Sequence, residues 1–267
     1  MLDIKTKKND LGLWEAEATL NLPEVKVTLM KADKDNLKYT YRFVFAPETL
    51  GSIVYLSKNL DKVKKNTIAA FNLTCVGDNL TYSLLPSRKG DTLTDRVAKY
   101  VLNAEVEEFK FYDFAEKGSD ERQYCHPGVD LPMVSLMRSK YGTYPEYHTS
   151  LDNLSFISPE GFLGSYNIHT KCIDIIEKNS IFKYTFPCEP MLMKRKLVPK
   201  NWHKRRVGKQ KNKKSMNFLK NMMNILCYCD GTIDLLKIAK ILDIDFETCY
   251  EITKIMEDSG VVKKVKV

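Results

Sequence analysis

The sequence predicts an α/β protein with a small winged-helix-type domain at its C-terminal end. Three observations carry this. Strand-like and helix-like runs alternate between residues 39 and 177, the interval expected of a sheet with helices on its faces. From residue 216 onward the pattern is helical and closes on a short strand. Between Lys194 and Lys214 lie eleven Lys or Arg and no acidic residue, which separates the two patterns.

Each element follows from local chemistry. Tyr39–Ala46 is aromatic and β-branched and stops at Pro47, which predicts a buried strand. Leu50, Ile53, Val54 and Leu56 recur at helical spacing over residues 50–60. Ile68–Val76 reads as a second strand stopped by Gly77 and Asp78. Residues 91–103 read as a helix capped by Asp91 or Thr92, residues 132–137 as a third strand, and residues 159–177 as a closing helix. Downstream, the apolar positions of residues 216–229 make one helix face, with a break and cap at Asp230–Thr232. Helices over Leu235–Leu242 and Phe246–Asp258 follow, then a terminal strand in residues 261–267. The organisation expected is a divergent segment 1–26, an α/β domain 27–190, a basic linker 191–214 and a winged-helix-like domain 215–267.

Composition narrows the function classes. The chain has 267 residues, 43% hydrophobic and 28% charged, as in a folded globular protein. No apolar run approaches the roughly 20 residues of a membrane span, and the first ten residues lack the features of a signal peptide. Seven cysteines, an odd number without CxxC spacing, point to reduced thiols and a cytoplasmic setting. The net charge of +8 is local: without the basic run, 31 basic residues face 34 acidic ones. Such a run is a solvated linker or a contact for an anionic surface.

Three clusters could carry chemistry. Pro47–Ser52 stands where a strand would enter a helix, and ligands of open α/β sheets gather at the carboxyl ends of strands. There Glu48 is a candidate general base, or a carboxylate that favours the helix dipole, and Gly51 allows close approach of the helix. Gly118–Gly128 contains Asp120, Glu121, Arg122, Tyr124, Cys125 and His126, a polar pocket wall or a plain turn. Tyr144–Asn153 places Asp152 four residues after His148. That spacing suits a metal ligand oriented by a carboxylate, and equally a turn capped by Asp152.

In order and spacing these segments resemble the zinc aminopeptidase-like proteins of the Zn-exopeptidase superfamily. The nearest branch is one found with polysaccharide-biosynthesis genes and carrying a C-terminal winged helix. The resemblance runs from about Val27 to the end, through Leu73–Asp78, Gly118–Cys125, Tyr147–Asn153, Cys188–Pro190 and Tyr228–Thr232. It implies a Zn-exopeptidase-like sheet that lacks its first strands. It also implies one zinc ion, a metal-activated water attacking a peptide or amide bond, and Glu48 as proton shuttle. His148 is the implied metal ligand, with Asp152 and Asp120 behind it. Arg122, Arg138 and Tyr124 are the implied substrate contacts.

The chain departs from the family pattern at two positions. Where the superfamily has Glu-Glu-x-Gly, Glu48-Thr49-Leu50-Gly51 keeps only the first carboxylate, and Asn72-Leu73-Thr74 replaces an Asn-Leu-Asp. The upstream His-Pro-Ser motif is absent too. Catalytic zinc normally takes three protein ligands, so the expectation is a hydrolase by descent, impaired or inactive in this chain. An exposed sheet edge would invite a second copy or a partner. The alternative is a non-enzymatic module contacting nucleic acid or protein through the winged helix and basic linker. Residues 246–258, with four acidic residues and one Lys, argue against phosphate contact.

Overall fold

The computed structural model describes residues 3–8, 14–19, 25–29, 37–195, 197 and 213–265. Most of the basic run therefore lies outside the described residues. The chain forms two compact units, Met1–Val44 and Phe45–Val267. The first is an antiparallel meander of β1 (Asp3–Lys8), β2 (Trp14–Thr19) and β3 (Val25–Leu29), with Asp3 opposite Thr19 and Trp14 opposite Leu29. β1 and β2 carry mainly Lys, Glu and Ala in place of a β-branched run, so composition does not reveal them, whereas β3 is rich in Val and Thr.

The stretch across the boundary between the two units departs from the expected strand. Residues 39–46 form no strand, and Phe43, Val44 and Phe45 are 50%, 42% and 55% exposed. Strand propensity reports fit to a pleated, half-buried surface, and no described strand pairs with this stretch. The helix behind it is real. α1 (Leu50–Asn66) follows Thr49, and Gly51 lets it begin hard against the preceding chain: a Cβ there would sit 2.6 Å from the Ala46 Cβ.

The α/β part is built on a four-stranded mixed sheet in the order β4-β7-β5-β6. β4 (Ala70–Asn72) runs parallel to β7 (Met133–Met137), and β5 (Ser83–Leu85) runs antiparallel to β7. The short β6 (Lys110–Phe111) lies parallel to β5 at the far edge. β7 is buried along its whole length, as a strand covered on both faces must be. On one side α3 (Glu121–Tyr124) packs on it, with Leu56 and Val63 of α1 joining Tyr124, Cys125, Leu131 and Met133 in one cluster. On the other, α2 (Leu93–Glu105) packs on β7 and on α4 (Pro159–Lys178). α2 begins with a capping box in which Asp95 accepts from the Thr92 N–H at 2.9 Å. α4 begins with Ser158 accepting from the Gly161 N–H at 3.0 Å, with Pro159 in its first turn.

The C-terminal part is a winged-helix module. β8 (Ile181–Tyr184) precedes α5 (Lys213–Tyr228), β9 (Asp230–Asp234), α6 (Leu235–Leu242), α7 (Phe246–Asp258) and β10 (Val262–Lys264). Its antiparallel sheet has the order β10-β8-β9, so the strand before the basic run lies at the centre of the sheet after it. Asp230–Thr232 is part of β9, and the cap of α6 is Asp234, which accepts from the Lys237 N–H at 2.9 Å.

All seven cysteines are free thiols, and burial pushes those of Cys172, Cys229 and Cys249 up to about 12, away from reactivity. Among the described residues no helix is long and apolar enough to cross a membrane.

One half-buried histidine with a shielded ring nitrogen gives a pH dependence. His169 on α4 sets its Nδ1 2.7 Å from the Ser165 carbonyl, while its Nε2 is shielded without a hydrogen-bond partner among the described residues. Burial holds its pKa below the ordinary 6.5. The unfolded chain therefore takes up a proton near 6.5 while the folded chain stays neutral. Stability present above that pH is lost as pH falls through the window beneath it. Thermal unfolding between pH 7.5 and about 5 should show a fall in Tm that His169→Leu largely removes.

Candidate functional site

The site is assembled at the carboxyl ends of β4 and β7, where the turn before α1, the residues around α3 and the loop after β7 converge. Its anchor is Glu121, fully buried. One carboxylate oxygen accepts from the Gly118 N–H at 2.8 Å, the Ser119 N–H at 2.9 Å and the Tyr141 hydroxyl at 2.7 Å. The other accepts from the Ser135 hydroxyl at 2.9 Å and the Asn72 amide at 3.0 Å. Burial alone would raise this carboxyl's pKa, but the hydrogen bonds outweigh it and the net shift is downward. Desolvation and the Glu121 charge in turn raise the Tyr141 phenol, which keeps it a donor.

Glu121 fixes Ser119, and Ser119 fixes Glu48. The Ser119 hydroxyl donates to Glu48 Oε1 at 2.5 Å. The next residue is held as firmly: the Thr49 N–H donates to Asp120 Oδ1 at 2.7 Å, and Arg122 Nη2 donates to Thr49 Oγ1 at 3.0 Å. Arg122 is itself steadied by Nε donating to the Ser119 carbonyl at 3.1 Å. Thus Glu48 is exposed yet oriented, beside an exposed guanidinium.

Tyr147 links this carboxylate to the expected histidine. Its ring stacks on that of His148, centroids 4.0 Å apart at 17°. Burial first, then the negative charge of Glu48, raise its phenol, with Cys75 and Asp152 adding to the effect and Arg122 opposing it. Glu48, Arg122, Asp152 and Cys75 therefore share one electrostatic neighbourhood around Tyr147, with His148 against its ring. Thr49, Cys75 and His148 also hold left-handed backbone, at φ 63°, 49° and 58°. Strained non-glycine residues of this kind concentrate at functional sites.

Other expected residues have structural duties. Arg138 is buried: its Nε donates to the Asp78 carbonyl at 2.9 Å, its Nη2 to Asn79 Oδ1 at 2.7 Å, and its guanidinium lies over the Tyr82 ring. Tyr124 is buried in the α1–α3 cluster, and burial raises its phenol. Asp120 serves the Thr49 turn, and Asp152 makes no hydrogen bond to His148. Cys125 is buried with its thiol facing the Leu131 and Met133 carbonyls, while His126 accepts from the Gly128 N–H at 3.2 Å on an exposed turn. Ser119, Glu121 and Tyr147 are the residues that sequence reasoning missed. All three lie inside clusters it selected, but three consecutive charges carry no periodicity to say which points inward.

The donor set does not suit a zinc centre. Among the described residues no group of three or more His, Cys, Asp or Glu is gathered where it could hold a metal ion. His148 is exposed and engaged with Tyr147 through its ring face.

Residues 18–179 match the family described as Domain of unknown function (DUF4910). The chain belongs to this family. Residues 180–264 of this DUF4910 chain match a winged helix-turn-helix family, which takes in β8 as well as the helices. A Clostridium acetobutylicum protein, provisionally named as a polysaccharide biosynthesis protein with an aminopeptidase-like domain, is 45% identical over 159 residues. That alignment covers 59% of the DUF4910 chain and 36% of the relative. The crystal structure of a provisionally named peptidase from Clostridium acetobutylicum superposes with a TM-score of 0.72 at 35% identity. It is matched over 86% of this chain and 49% of its own. The DUF4910 chain thus spans about half or less of the relatives it matches. The resemblance to aminopeptidase-like proteins with a C-terminal winged helix, and the mixed α/β fold it implied, both hold.

Proposed function

We propose that this chain carries the substrate-facing and proton-transfer part of an aminopeptidase-like hydrolytic site, acting on a peptide or amide. The observation that carries the reading is the Ser119 hydroxyl on Glu48 Oε1 at 2.5 Å, backed by the buried Glu121. A carboxylate fixed from one side presents its second oxygen to a ligand, where it can accept a proton from an attacking water or hold a substrate amine. Arg122 beside it suits a carboxylate group of the same ligand. Zinc would supply a Lewis acid in the related enzymes, but the described residues offer it no cage, so no step is assigned to it here. Turnover by this chain is accordingly expected to be slow.

The test measures hydrolysis of aminoacyl anilides and calorimetric binding of dipeptides by the intact chain. Glu48→Gln should reduce the residual rate about 100-fold or more while leaving Tm unchanged. Arg122→Met should weaken dipeptide binding about tenfold. Zinc retained after chelation and reloading should stay well below one ion per chain, in the parent and in His148→Ala alike. A rate indifferent to Glu48→Gln would remove the proposal.

A further inference from the structure

We infer that the winged-helix module is an intramolecular brace, because the end of it that would read a duplex is built into the α/β domain. In winged-helix and related DNA-binding modules the N-terminal residues of the recognition helix reach base edges in the major groove. Here that helix is α7, and its start is occupied. Asp245, its cap, accepts from the Tyr100 hydroxyl of α2 at 3.2 Å, and the Phe246 N–H donates to the same hydroxyl at 2.8 Å. The buried Phe246 ring meets the Tyr100 ring edge-on at 6.3 Å. In the same first turn Glu247 pairs with Lys178 of α4 at 2.7 Å, and the Lys178 ammonium lies 5.5 Å from the Tyr250 ring centroid.

The preceding helix is docked in the same way. Asp234, the cap of α6, receives both ends of the Arg96 guanidinium from α2, at 2.9 and 2.6 Å. The Leu236 N–H donates to Asn179 Oδ1 at 3.0 Å, and the Leu235 N–H to the Ser180 carbonyl at 3.0 Å. Both helix starts of the helix-turn-helix therefore point into the α/β domain. Planar two-point pairing of a partly buried Arg with a capping Asp is the strong form of ion pair. Insertion of α7 into a groove would have to break all of these contacts, and the acidic α7 gains nothing from phosphates in return. The assignment is independent of the hydrolytic reading.

Hydrogen exchange on the full chain, with melting alongside, tests it. The Phe246 and Leu236 amides should exchange slowly. Tyr100→Phe, which keeps the ring contact, should speed Phe246 about tenfold, and Arg96→Met should speed both and lower Tm by about 5 °C. A random duplex of about 20 bp at low salt should leave the amides of residues 246–250 unchanged, whatever it does at the basic run. Salt-dependent slowing of those amides by the duplex would overturn the brace. So would exchange and melting that neither variant alters.

Discussion

Glu121→Ala is expected to cost about 3–5 kcal/mol of stability, the range for removing one member of a buried, hydrogen-bonded charged network. Five donors now converge on its two oxygens, and all five would be left facing a void. Chemical denaturation would show this as a lower midpoint at unchanged slope. Glu121→Gln should cost less, since one oxygen survives, but its new N–H₂ must face donors. The loss should not be confined to stability. Ser119 would lose the carboxylate that fixes its backbone, and Glu48 would lose its orientation with it. The acid limb of the stability profile should change too. The Glu121 pKa is lowered by folding, so its contribution is present above the ordinary 4.5 and disappears as pH falls through the lower folded value. Glu121→Gln should flatten that limb while leaving the His169 step near neutrality in place.

Gly161→Ala should destabilise by about 3 kcal/mol, the upper end for overpacking, because the obstacle is backbone rather than a movable side chain. A Cβ at this position would lie 2.1 Å from the Gly77 carbonyl oxygen and 2.4 Å from that of Asp78. The first turn of α4 rests directly on the 77–78 peptide, and the Ser158 N–H donates to the Gly77 carbonyl at 2.9 Å. Pushing the two apart disturbs Asp78, whose carboxylate accepts from the Ser139 N–H and hydroxyl at 3.0 and 2.8 Å. For a chain of this size Tm should fall by about 6–12 °C. Gly90→Ala is the control: its φ of +74° makes alanine strained, but nothing lies within 4 Å. That variant should cost only about 1 kcal/mol.

How much of this could be read from the chain depended on whether the signal was periodic. α6 and α7 begin and end where their apolar spacing places them, although the cap of α6 is Asp234 and not the Asp230–Thr232 stretch. The cap at Asp91 or Thr92 and the start at Pro159 likewise announce α2 and α4, with Thr92 and Ser158 as the caps formed. Strands fared worse, since a strand of two or three residues such as β5 or β6 carries too few positions to alternate. Residues 39–46 had strand composition, but no described strand pairs with them. At the site, the chemistry of each cluster was legible but its direction was not. Arg122 and Arg138 have the same side chain, yet one is exposed beside Glu48 and the other is buried with its guanidinium over the Tyr82 ring. Only tertiary packing separates them. Glu121 illustrates the same limit from the other side: a charge in a run of charges reads as solvent-facing, and five donors drawn from four separate segments make it the most buried.

The central position of β8 bears on how this polypeptide can be rearranged. Hydrogen-bonded to β9 on one side and β10 on the other, it supplies the middle of a sheet whose remaining strands lie beyond the basic run. Recombination or excision at that run, the place composition marks as a seam, would cut the sheet through its axis and leave two unpaired flanks. A rearrangement that keeps this sheet whole must carry β8 together with β9 and β10.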